Sequence, residues 1–288
     1  MRSSRRRALV ALAALGVAAF TQEAAAQSWR TISSARQLQG EQQLTVDVEF
    51  ASGTFRLQPA AGTALYRAEL MYDADYFEPR GKYDAATHTL KIGVTIDRGT
   101  HNLDLSDDSP QYLNLAISPD VPAALKLQFG LARAEIDLGG LSVAGASVKT
   151  GASESWIGFS RPNRINCRSF EIAVGAAELL VEGLGNARCR RIRAIGGAGD
   201  LTLDFTGDWH AEVTTRGDIK LGFGTLTLRF PKELGVELDI DRLLASFDQR
   251  GFVKRGSRYV STNYDSTRAR LRLNIDAAIG EIHVEWVN

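Results

Sequence analysis

The chain has 288 residues, with 34 Lys and Arg against 34 Asp and Glu, and 44% of its residues are hydrophobic. That is an ordinary globular composition. The first 26 residues hold Arg2, Arg5, Arg6, Arg7 and Glu23, which leaves 30 basic and 33 acidic residues in the remainder. Non-specific nucleic-acid binding needs clustered Lys and Arg to neutralise phosphates, so this balance argues against nucleic acid as a partner.

Arg2 to Arg7 form a basic region, Ala8 to Phe20 an apolar stretch of thirteen residues, and Ala24, Ala25 and Ala26 a small-residue cleavage site. The pattern predicts a secretory signal peptide over residues 1–26. As a helix the apolar stretch would rise about 20 Å, short of the roughly 30 Å hydrocarbon core, so a membrane anchor is not expected. No Cys follows it to support a lipid anchor, and Ser4-Arg5-Arg6 leaves general and twin-arginine export both open. The expected location is outside the cytoplasm, in the periplasm or at the cell surface. In that oxidising setting the only two cysteines, Cys167 and Cys189, are expected to pair if geometry allows.

Residues 27–42 are polar and read as a flexible lead-in. Strand-like runs follow at Leu44–Phe50, Thr54–Leu57 and Ala64–Met71, and Tyr83–Val94 reads as a hairpin turning at Asp84 to Thr87. The stretch 98–122 holds Pro110, Pro119 and Pro122 and the acidic Asp104, Asp107 and Asp108. A boundary there would separate a smaller N-terminal β domain, 43–122, from a second domain, 123–288.

The second domain repeats. Gly151-Ala152-Ser153-Glu154-Ser155-Trp156-Ile157-Gly158-Phe159 aligns with copies opening at Gly175, Gly197 and Gly222. Weaker copies open at Gly130 and Ala278, and Ser52 to Leu57 resembles the middle of the unit. The copies read Gly (Ala278 in the last), any, small, polar, apolar (Ser155 in one), any, aliphatic, any, bulky, except that Gly183 fills the last place of one copy. The opening glycines lie 21, 24, 22 and 25 residues apart. Aliphatic and polar places alternate with period two, the pattern of a strand with one buried face. Ile136, Ile157, Val181, Leu203, Leu228 and Val284 are the inward set. The glycines are expected to precede each strand, at corners where a Cβ is poorly tolerated.

Corner, strand, corner predicts an all-β fold: a parallel, right-handed β-solenoid of 22–25 residue coils behind the smaller β-rich domain. An antiparallel β-sandwich is the alternative, since closely spaced strands give the same alternation. The cysteines test the register, because Cys167 lies eight residues before Gly175 and Cys189 eight before Gly197. Stacked coils would bring the two side chains within bonding reach. The 56 residues from Gly222 to Ala278 leave room for two coils, or for one coil and an insertion that includes a loop.

These motifs, with Arg161-Pro162-Asn163, the segment Gly183 to Ala187, the segment Gly199 to Gly207 and the segment Pro231 to Val236, resemble the toast-rack proteins. That group is similar to the LiaF-like C-terminal domains of cell-wall-antibiotic response proteins and to adhesin-type bacterial β-solenoids. Leu65-Tyr66, Met71-Tyr72-Asp73, Pro79 and Tyr83-Asp84 resemble the smaller domain that precedes the toast rack. The resemblance implies a parallel β-solenoid at the cell envelope without a known catalytic centre. The chain departs from the LiaF-like pattern in lacking transmembrane helices, which weighs against a two-component signalling role.

A direct search for chemistry finds little. His88, His101, His210 and His283 are scattered, and no metalloprotease, calcium-loop or phosphate-loop spacing occurs. Ser153 lacks the second Gly of a nucleophile elbow. Gly183-Leu184-Gly185 and Gly197-Ala198-Gly199 open strands and not helices, so no helix N-terminus awaits a pyrophosphate. No cofactor is expected. Glu154, Glu178 and Asp200 fill one outward place in successive repeats, an acidic column that is a weak candidate for Ca²⁺ and otherwise a solvated face, flanked by Arg133 and Thr225. The expectation is a non-enzymatic envelope scaffold or adhesin-like module binding an envelope protein or glycan. The alternatives are a ligand-sensing module of the envelope stress response and a carbohydrate-active enzyme.

Overall fold

A computed structural model describes residues 28–97, 110–209 and 214–287. The expected signal peptide, His101, His210 and the acidic turn at Asp104, Asp107 and Asp108 lie outside the described residues. The fold is all-β, with no helix among the described residues. Fifteen strands follow in chain order: β1 (Trp29–Gln37), β2 (Leu44–Pro59), β3 (Ala64–Asp73), β4 (Phe77–Asp84), β5 (Thr89–Ile96), β6 (Tyr112–Ile117), β7 (Ala123–Asp137), β8 (Val143–Gly158), β9 (Cys167–Glu182), β10 (Cys189–Asp204), β11 (Thr214–Pro231), β12 (Gly235–Phe247), β13 (Phe252–Arg255), β14 (Arg258–Ser261) and β15 (Arg270–Val287).

The long strands β2, β7, β8, β9, β10 and β11 pair in sequence order, every contact parallel. The repeats are therefore not an antiparallel sandwich. Strand β15 then inserts between β11 and β12, parallel to both. The stretch between Gly222 and Ala278 holds this extra layer, β12, together with the antiparallel β13–β14 hairpin.

The glycines sit inside the strands and do not precede them. In β9 and β10 the register runs from Gly196 opposite Val174 to Ala198 opposite Ala176, with Gly197 and Gly175 between. A Cβ on Gly197 would lie 2.4 Å from the Gly175 carbonyl oxygen, and one on Gly222 would lie 2.5 Å from that of Gly197. The backbone of each layer is thus pressed onto the next at mid-strand, and only hydrogen fits there. Alternation on both sides of this point sends two sets of side chains inward, so each strand contributes two arms to one core. Ile136, Ile157, Val181, Leu203, Leu228 and Val284 are all buried in it.

The turns between long strands stack as well. Phe159 N–H donates to Glu182 O, Leu184 N–H to Asp204 O and Phe205 N–H to Arg229 O, at 3.0, 2.9 and 2.8 Å. Asn163, fully buried, accepts from Val143 N–H and donates to the carbonyls of Val143 and Ala187, at 2.8, 2.9 and 3.2 Å. The Arg161-Pro162-Asn163 and Gly183-to-Ala187 motifs are corner devices that satisfy buried backbone groups.

Two expectations about the N-terminal part change. The lead-in 27–42 contains β1, which pairs antiparallel with β3 along nearly its whole length. Most of its side chains are exposed, so composition alone reads it as coil although its backbone completes the sheet edge. The runs Leu44–Phe50 and Thr54–Leu57 are one strand, β2. Its first half lies between β5 and β7 and its second half between β6 and β7. The β4–β5 hairpin forms around the expected turn. One sheet and one core include strands from both sides of residue 122, because Leu44 to Leu57 of β2 pair with Ala123 to Ile136 of β7.

Candidate functional site

Cys167 and Cys189 are directly opposite one another on β9 and β10 and are joined by a disulfide, with Cα atoms 4.2 Å apart. Both are buried, so the bond ties neighbouring layers from inside. Register also places Glu154 opposite Glu178, and Glu178 opposite Asp200. All three side chains are exposed. Arg133 donates to Glu154 at 3.4 Å at one end of the column, and Thr225 faces Asp200 at the other. Among the described residues no three His, Cys, Asp or Glu side chains come together in a way that could hold a metal ion.

Trp156 does not begin an aromatic row. Its in-register neighbours are Glu135 and Leu180, and it lies across Gly158 with its indole N–H donating to Glu182 at 2.6 Å. His88 sits in the β4–β5 turn, 3.3 Å from the Tyr83 hydroxyl, and His283 contacts Glu281 at 2.7 Å on β15. Among the described residues neither has a hydrogen bond to a Ser, Thr or Cys side chain or to a second histidine. Gly183-Leu184-Gly185 is a corner and Gly197-Ala198-Gly199 lies mid-strand, so the backbone of neither is free to wrap a phosphate.

The register reveals a segregation of charge that the neutral total conceals. From β7 to β10, the arms before the central glycine carry Lys126, Lys149, Arg168, Arg190, Arg191 and Arg193 against Glu171 alone. The arms after it carry Glu135, Asp137, Glu154, Glu178, Glu182, Asp200 and Asp204 against Arg133 alone. One outward face is basic and the other acidic. On the basic side Arg191, Arg216 and Arg272 stand directly opposite one another on β10, β11 and β15. All three are exposed. Arg272 Nε donates to the Tyr264 hydroxyl at 3.1 Å, which holds the guanidinium above its ordinary value. The sequence signal was available: each of these arginines lies six residues before the opening residue of its repeat, Gly197, Gly222 or Ala278. Reading only the places after the glycine misses it.

The family described as the N-terminal domain of toast_rack, DUF2154, matches residues 22–181, more than half of the chain. No curated protein matches the chain. Among solved structures, one from Clostridium sporogenes, provisionally named a cell adhesion protein, is similar at 16% identity over 90% of this chain and 100% of its own, with a TM-score of 0.49. A provisionally named adhesin from Parabacteroides distasonis shows 13% identity over 90% and 97%, with a TM-score of 0.35. A provisionally named lipid-binding protein from the same organism shows 10% identity over 91% and 97%, with a TM-score of 0.28. Likenesses this distant bear on neither ligand nor activity.

Proposed function

Since the chain belongs to the toast_rack N-terminal domain family, we propose that it is an exported, non-enzymatic binding module of the cell envelope, in which a solenoid-like stack of parallel layers displays recognition side chains. The observation that carries this reading is the pair of oppositely charged outward faces held on a rigid ladder. Side chains on strands that share one core keep fixed spacing, which is what recognition by a surface requires. The buried disulfide supports an oxidising compartment. In this reading residues 1–26 are removed on export, the coils wind right-handed, and 43–122 closes one end of the 123–288 stack. The acidic column of Glu154, Glu178 and Asp200 is a hydrated part of one display face and not an ion site.

The test is to express the full chain with a C-terminal tag, fractionate the cells and measure the mass of the tagged product with and without reductant. A product beginning at Gln27, found in the envelope or periplasmic fraction with its disulfide intact, is the expected result. The mature chain should then bind isolated envelope glycan or an envelope protein without turning it over. Cytoplasmic accumulation of the uncleaved chain, or release of reducing sugar from the glycan, would reject the reading.

A further inference from the structure

We infer that the row Arg191, Arg216 and Arg272, with the hollow beside it, is a binding strip for a linear acidic polysaccharide. The inference deepens the binding reading above and rests on it for the setting in which such a polymer is met.

Several basic side chains of this molecule face an acidic one directly across strands. Arg56 meets Glu135 at 3.0 Å, Lys220 meets Asp276 at 2.7 Å and Arg229 meets Glu285 at 2.8 Å, each pair directly in register. The arginine row breaks this pattern. Adjacent strands are roughly 4.8 Å apart, and like charges directly opposite one another are destabilising. Arg272 is compensated in part by Glu237, at 3.8 Å, and by Tyr264. Among the described residues the guanidinium groups of Arg191 and Arg216 have no ion pair or hydrogen bond. They are two weakly hydrated forks with five donors each, the side chain best suited to bidentate capture of a carboxylate.

The hollow beside the row holds about 300 Å³. Arg191 and Arg193 line it together with Glu171, Asp218 and Asn274, the last donating to Asp218 at 2.9 Å. A ligand that was charge alone would be repelled by these carboxylates. A sugar chain places carboxylates on the arginine forks and gives its ring hydroxyls to Glu171, Asp218 and Asn274, which accept and donate hydrogen bonds. The three facing arginines form a single row that runs across the strands, a shape that follows a linear chain and not a plane of lipid headgroups. Among the described residues no aromatic side chain stands in the row or lines the hollow to offer a platform for nucleic-acid bases.

The experiment uses the mature full chain and titrates it, by calorimetry, with oligogalacturonate as the probe. Neutral linear glucan, linear polyphosphate and phosphatidylcholine vesicles containing phosphatidylglycerol are run beside it. The expected result is binding to oligogalacturonate that weakens with salt and falls at least tenfold in the R191A/R216A double variant, whose melting temperature is unchanged or raised. The E78Q variant, at an exposed place on β4 away from both charged faces, should bind as the parent does. The inference is overturned if oligogalacturonate does not bind, if the double variant binds it equally, or if polyphosphate or the vesicles bind as tightly. If envelope glycan or protein is still captured by R191A/R216A, the strip is wrong and the general binding reading stands. If the chain proves cytoplasmic while the strip still binds the probe, the reverse holds.

Discussion

The repeated layers β7 to β11 and the N-terminal strands β1 to β6 belong to one sheet and one core, yet they are held together differently. In the layers every long strand meets its neighbour in sequence and in parallel, with one register shift at Ala123/Ala124, so the mid-strand glycine contacts and the stacked turns recur between adjacent layers. In the N-terminal part β1 meets β3, β3 meets β6 and β6 meets β2, an order that sequence neighbours do not dictate. That part depends on single locks. Glu41, buried, accepts from Gln39 N–H at 2.6 Å and from Arg36 Nε at 3.3 Å, and Arg36 also lies over the Tyr83 ring at 4.6 Å. Periodic regions can therefore be weakened at any layer by the same kind of change, whereas the end region has particular points of failure.

The largest effect should come from Gly222→Val. Its side chain would meet the Gly197 carbonyl at mid-strand, where neither layer can retreat, and the expected loss is about 5 kcal/mol, or failure to fold, read by urea denaturation. A stable variant would mean that the layers can part at the bend. Asn163→Ala comes next. It strands the Val143 N–H and two carbonyls inside the corner, and about 4 kcal/mol should be lost. Serine at both Cys167 and Cys189 removes a cross-link between consecutive layers, for which loop-closure entropy suggests about 3 kcal/mol. Thermal melting with and without reductant would find no difference if the bond is dispensable.

Glu41 sharpens the contrast at the other end of the molecule. Burial on its own would raise its carboxyl, but the backbone N–H groups and the Arg36 guanidinium prevail and leave it lowered. A lowered folded value means that the stabilisation is present above the ordinary glutamate range, near about 4.3, and is lost as pH falls through the folded value. The parent should therefore lose more stability on acidification than Glu41→Gln does, as measured by denaturation over that pH range. Equal pH profiles would remove Glu41 as a lock. The smallest effect belongs to Glu178→Gln, which relieves like-charge contact with Glu154 and Asp200 on an exposed face and should change stability by a few tenths of a kcal/mol at most. Calorimetry with Ca²⁺ on the parent should show no heat.

The chain's own repetition was enough to read the period, the buried set from Ile136 to Val284 and the pairing of Cys167 with Cys189. All three depend on repetition at short range, and period-two alternation is a local property of an extended chain. It could not show that the glycines lie inside strands, because a glycine at a corner and one at a mid-strand bend look the same until the carbonyl of the neighbouring layer is placed against them. Pairing in the folded sheet made β1 a strand, since an exposed edge carries no apolar pattern, and set β15 between β11 and β12 out of chain order. It also decided which charges face each other. Arg191, Arg216 and Arg272 are 25 and 56 residues apart in the chain. They form a row only because parallel pairing sets equivalent places of successive layers side by side.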